Sequence, residues 1–437
     1  MRRFTQGSLH LAFPTIAVVA LTLLAQAQSS AVGTWSGVQI LEPTMVSSSP
    51  PDVPVVACDP LGHAVAAWTS PAMGVAFSEH DPGASWTAAV SILPAGTTGF
   101  SPQIAIGSSG VVAVSWIVPG QEFIPQKFVV SVRPVGGAFS TPATLVSGAY
   151  VFDSRLGVAD NGSVTVLWGQ GGAVKTAMRN PQGVWTPSIV LNPPNTSASL
   201  PDLVVNGAGA ALAVWQETPV GGGGPSAIGV SYRAAPSRSR WGVAHAISSG
   251  LGLATWNPKP GIDDAGNAAF GYLDGNRMMV ARKAAAGTWG APQAVSPPGD
   301  NAYYPAFSMD ARGNILAAWQ KLDAGNYGTV SKRVLPAAGA WGPVTVLSTP
   351  DQDASWPIAS VARDGSVAAV TWTDNNTFAA HADVGPMRGS STVFTIGSCW
   401  WNTTMPIAAG SLAVSAVWPA PTTNPNVTRM VANVYTP

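Results

Sequence analysis

Apolar positions along this chain fall in short alternating runs and never sustain a 3.6-residue period, so strands are expected and helix is nearly absent. Around residues 293–335 the runs PQAVS, AFSM, NILAAW and YGTVSKRV follow one another, separated by Gly, Pro, Asp or Asn, and predict four strands. The first two strands of such units are joined by DPLG, GSSG, DNG, NGAG, DDAG, DARG or RDG. Asp or Asn there can bond its own backbone, and Gly takes the positive φ that a tight hairpin demands. The second strand of each unit ends on an aromatic residue: Trp68, Trp116, Trp168, Trp215, Tyr272, Trp319, Trp372 and Trp418, spaced 50 residues apart on average. A period of that size marks a propeller or solenoid.

The two ends of the chain favour the propeller. GTWSGVQIL near the start matches the fourth strands GVWTPSIVL and GAWGPVTVL, and RMVANVY near the end is a third strand. One N-terminal strand and three C-terminal strands would complete a shared blade and remove free sheet edges. The expectation is therefore an all-β, eight-bladed β-propeller of four antiparallel strands per blade, with seven blades as the alternative. The periodic aromatics are expected to fill the gaps between blades. A second set opens the fourth strands (Trp86, Phe139, Trp185, Trp241, Trp289, Trp341) and carries the same expectation. The arginines ending third strands (Arg133, Arg179, Arg233, Arg282, Arg333) read as solvent-facing edge residues.

Composition narrows the partners. Among 437 residues only 10% are charged, and 21 Lys+Arg balance 21 Asp+Glu, which argues against nucleic acid, whose phosphates need a basic patch. MRRFTQGSLH, the apolar run LAFPTIAVVALTLLA and AQA together read as a signal peptide at residues 1–27, with cleavage after Ala27 and one propeller domain over 28–437. No later stretch approaches the ~20 apolar residues of a transmembrane helix, so a secreted or periplasmic monomer is expected. Cys58 and Cys399 fall in the first and last units but at opposite ends of their strands, so they are expected to stay unbridged.

The repeat architecture resembles that of the sialidase-like exported bacterial β-propellers over essentially the whole mature chain. The resemblance implies the fold. The Asp-box pattern S-x-D-x-G-x-T-W and the F/Y-R-I-P motif are absent, DARGNILAAW placing its turn and Trp differently, so no catalytic residue carries over.

Candidate chemistry gathers on the face formed by the loops entering the first strands and leaving the second strands. The entering loops place Phe100, Phe152, Trp256, Tyr304 and Trp356 just ahead of the first strand, with Trp400 and Trp401 close by. The leaving loops offer Glu217, Asp274, Arg277, Lys321, Asp323 and Asp374. Aromatic rings beside polar groups suit sugars, whose C–H faces stack on indole, although wedging against the neighbouring Pro is the competing reading. Asp274 and Asp323 come from adjacent units and could pair as glycosidase carboxylates, but nothing singles them out. No metal-ligand spacing, phosphate-binding loop or cofactor motif is present, and GGGG at 221–224 reads as slack. The functional expectation is a binding module for an extracellular glycan or an envelope protein. The alternatives are a glycan-acting hydrolase on the same face, or an envelope scaffold.

Overall fold

The computed structural model describes residues 33–46, 53–93, 97–120, 126–221, 226–235, 240–248, 255–399, 404–423 and 427–437. The signal-peptide expectation, Trp400 and Trp401 lie outside them. The architecture is the expected one: eight antiparallel sheets, each with its first strand innermost, arranged as a ring. Blade 6 is representative, with strands Asn301–Met309, Ile315–Leu322, Gly328–Leu335 and Thr345–Val346. Helix is confined to one 3₁₀ turn at Pro350–Gln352 among the described residues.

The hairpin logic of the turns holds in detail. In the DARG turn of blade 6, Asp310 is buried and its Oδ1 accepts from the backbone N–H of Arg312 (3.0 Å) and Asn314 (2.8 Å), while Gly313 adopts φ +87°. Asp59 and Asp263 make equivalent bonds in blades 1 and 5. A carboxylate accepting two N–H groups supplies the buried turn with the partners its backbone otherwise lacks.

The core is divided by the blades. Each of the eight seams holds its own cluster of buried apolar side chains. Trp68, Trp116, Trp168, Trp215, Trp319, Trp372, Trp418 and Tyr272 all lie within these seams, fully buried. A flat ring of this size fills the space between two diverging sheets, which is why the repeat keeps returning to Trp. The second aromatic set is less buried than expected. Only Trp86 is fully buried; Phe139, Trp185, Trp241, Trp289 and Trp341 are half-buried and pack against the seam clusters from their edge.

Of the third-strand arginines, Arg282 is exposed as expected and Arg179 is half-buried, but Arg133, Arg233 and Arg333 are more than solvent-facing residues. Arg133 stacks on Phe77 and Phe139 and makes a two-pronged pair with Glu79, while Arg233 and Arg333 stack on Trp241 and Trp341. Arg233 is 1% exposed and burial pulls its pKa down to about 10. A planar guanidinium can lie flat on an aromatic ring, so the repeat uses it to cover the ring that opens the next strand.

The ring closes in blade 8. Ile407–Ala409, Val414–Pro421 and Val427–Thr436 form its first three strands, and Val427–Thr436 pairs with both Thr34–Trp35 and Gln39–Val46. The clasp reaches across to blade 1, where buried Glu42 accepts from Trp68 Nε1 (2.6 Å) and Ser70 Oγ (2.7 Å). Cys58 and Cys399 are both free thiols, pushed up to about 12 by burial.

Candidate functional site

The inner strands of blades 2 to 7 share a device that the sequence pattern did not reveal. Each slips register at the same level, and the slipped residue is left-handed: Ser101, Asp153, Leu200, Asn257, Tyr304 and Trp356, with φ between 43° and 56°. All but Asp153 precede a proline. Proline is tolerated there because the inner edge of a blade has no further strand to receive an N–H. A bulge bends its strand and re-aims a side chain, and six in a row turn the entry end of the ring into a rim of displaced residues. Left-handed backbone on a bulky Trp or Tyr is strained, and strain of this kind concentrates at functional sites.

At blades 5 to 7 the rim becomes aromatic. Tyr304 and Trp356 lie 3.8 Å apart between ring centroids at 35°, and Trp256 meets Tyr304 edge-on at 6.1 Å. Tyr303 stands beside Tyr304 at 6.5 Å. All four are half-buried, each leaving part of its ring open. Phe100 and Phe152 are half-buried in blades 2 and 3 and take no part in this group; Phe152 packs over Gly169 of its own blade. Among the described residues, the aromatic side chains that are exposed outright are Tyr150, Tyr327 and Phe378, at 70%, 54% and 45%. All three sit on loops of this same face. Sequence reading missed them because loop-tip residues follow no period.

The polar candidates behave differently from the aromatic ones. Glu217 is buried and accepts the indole N–H of Trp215 at 2.9 Å. Asp274 is buried opposite Arg277, which is half-buried. Asp374 is buried and turned into its own loop, accepting from Asn376 N–H, Thr377 N–H and Thr377 Oγ1 (2.6 Å). Asp323 is exposed and caps its own turn through Gly325 and Tyr327 N–H. Lys321, 44% exposed at its side chain, pairs with buried Asp300 at 2.8 Å. Glu217, Asp323 and Asp374 are thus committed to holding an indole or a loop, and Asp274 and Asp323 differ in kind: one buried, the other capping an exposed turn.

Lower in the ring, Asp202 bridges Arg155 and Lys259, each at 3.2 Å, from the inner strands of blades 4, 3 and 5. Burial would raise the Asp202 carboxyl, but the two cations beside it hold it below the usual carboxylate range. At the opposite end of the ring, inner strands and hairpin turns from all eight blades enclose a cavity of about 380 Å³. Arg363 reaches across this end from blade 7 to Asp160 of blade 3 (3.2 Å) and Asp264 of blade 5 (2.9 Å). This salt-bridged bolt lies at the end away from the aromatic rim, so the two ends of the ring differ in chemistry: one aromatic, one ionic.

No family model matches the chain, and no curated protein matches it in sequence. Among solved structures it is similar to a lectin from Burkholderia pseudomallei, with TM-score 0.54 and 13% identity over 80% of this chain and 99% of the lectin. It is also similar to an ulvan lyase (TM-score 0.47, 12% identity, 74% and 90% covered) and to an α-L-arabinofuranosidase from Fusarium graminearum (0.41, 15%, 68% and 97%). At these identities the likeness extends to the propeller fold alone.

Proposed function

We propose that this protein is an exported binding module that recognises carbohydrate on the aromatic face of blades 5 to 7. The observation that carries the reading is the placement of the rings. The Trp256–Tyr304–Trp356 group is on this face, and so are Tyr327 and Phe378, which are exposed outright. Exposed aromatics are costly to leave in water, and grouped on one face they mark an interaction surface. Sugar rings present C–H faces to such rings and hydroxyls to the polar groups between them. The hydrolase alternative has less support, because Asp323, one of the two carboxylates expected to serve it, caps its own exposed turn while Asp274 is buried. The apolar run at residues 11–25 supports export.

The test is a glycan-array screen of the mature protein beside a Trp256→Ala/Trp356→Ala double variant, with folding checked by near-UV circular dichroism. Binding by the wild type that is lost in a folded variant supports the reading. Absence of binding by both proteins overturns it and turns attention to envelope proteins as partners.

A further inference from the structure

Resting on that reading, we infer that the ligand is an uncharged, linear oligosaccharide lying radially along the seam between blades 6 and 7. The seam begins at the rim with the Tyr304–Trp356 pair and ends outward at Tyr327 and Phe378, which stand on the loops after the second strands of the same two blades. Inner and third strands of one blade are separated by two strand spacings, roughly 10 Å, which is too long for one sugar ring and suits a short chain.

The amide oxygens of two side chains on blade 6 face this seam without a hydrogen bond among the described residues. Gln320 pairs in register with Tyr303 and Val330, and Val330 belongs to the core between blades 6 and 7, so Gln320 projects to that side. It is 4% exposed, and its Oε1 makes no hydrogen bond among the described residues; nor does Asn301 Oδ1, two positions before Tyr303. A buried amide oxygen without a donor is costly, so a site that keeps two awaits donors from elsewhere. Room for the Gln320 amide is made by Gly328, where an added Cβ would lie 2.3 Å from Gln320 Nε2 and 2.3 Å from the Ala354 carbonyl. Sugar hydroxyls are donors of the right kind.

The charges around the seam explain why the chain would be neutral. Lys321 is paired with Asp300, Asp353 accepts from Gly328 N–H (2.8 Å) and Asn375 Nδ2 (3.4 Å), and Asp374 is closed into its own turn. An acidic glycan would meet no uncommitted cation here among the described residues, and the exposed Asp351 and Asp323 beside the seam would repel it.

The experiment is calorimetric titration of the mature protein with gluco-, xylo- and manno-oligosaccharides, from monosaccharide to hexasaccharide, and with oligogalacturonides as the charged series. Gln320→Met keeps the shape and removes the amide, and Tyr327→Ala removes an exposed ring without touching the core. The expected result is affinity that climbs to the trisaccharide and then levels, in a neutral series only. Gln320→Met should weaken it by about 3- to 10-fold, the worth of one hydrogen bond, while thermal stability holds or rises. Tyr327→Ala should remove the gain from added sugars. Binding that ignores chain length, prefers the uronides, or survives Gln320→Met unchanged overturns this inference and leaves the binding-module reading standing. Binding of no saccharide in any series overturns both.

Discussion

Blades 3 and 4 and blades 6 and 7 are built to one plan, yet they treat the same indole differently. In blades 3 and 4 the residue two positions after the periodic Trp turns back to accept its N–H: Gln170 from Trp168 at 3.3 Å, Glu217 from Trp215 at 2.9 Å. In blade 6 that position is Lys321, which has no acceptor to give, and in blade 7 it is Asp374, spent on its own turn. Trp319 and Trp372 consequently have indole nitrogens with no hydrogen bond among the described residues. The rim follows the same division, with Asp153 and Leu200 at the bulges of blades 3 and 4, but Tyr304 and Trp356 in blades 6 and 7. One side of the ring satisfies its indoles. The other leaves rings and polar atoms unspent, and an unspent group is where a repeat departs from pure stability.

The largest expected effect separates the two sides by stability. Trp215→Ala, which empties a fully buried site, should cost about 3–5 kcal/mol in urea unfolding. Trp356→Ala, half-buried at the rim, should cost less than half as much and act on ligand binding instead. Equal losses would make the rim part of the core. A smaller difference should appear between conservative variants. Trp215→Phe removes the indole and strands the buried Glu217, whereas Trp372→Phe removes a nitrogen that has no partner. The first should be the more damaging by about 1–3 kcal/mol; no difference would mean that Glu217 finds another donor.

The smallest effect is on pH. Burial, opposed by Asp374, lowers the pKa of His381, which stacks on Trp372 in blade 7. With the folded value below the unfolded one, near 6.5, the unfolded chain takes up the proton first on acidification. Stability is therefore full above about pH 6.5 and falls as the pH drops toward the folded value. His381→Phe should flatten the loss of Tm between pH 7.5 and 5.5. Some slope should persist from His80, which burial lowers in the same sense. An unchanged slope would show that His381 does not report on blade 7.

Much of the fold was legible because it is periodic. An aromatic ends the second strand of every blade, Gly turns recur beside it, and GTWSGVQIL carries a fourth-strand pattern far from its partners. The site was legible in part. Aromatics just ahead of most first strands pointed to Phe100, Phe152, Trp256, Tyr304 and Trp356 alike; Trp256, Tyr304 and Trp356 stand together, and Phe100 and Phe152 stand apart. The left-handed bulges were hidden, because Ser101, Leu200 and Trp356 share a backbone state and no side-chain chemistry. Likewise, Glu217 and Asp374 look like free acids in sequence; only the fold reveals which N–H or indole has claimed them. The Arg363 bolt joins blades 3, 5 and 7, and no local pattern announces a contact across a ring.

The clasp carries a consequence for the order of folding. Gln39–Val46 takes as its partner Val427–Thr436, nearly the full length of the chain away. Stacked repeats that touch only their neighbours can fray from either end, one unit at a time. Here the most distant contact is also the lock, and contacts of such sequence separation are slow to form. The early strand must wait with its edge unpaired until the last blade arrives, and once joined, no blade is a terminal one. A chain stopped before residue 427 would retain blades 1 to 7 in sequence and lack the strand that turns a row into a ring.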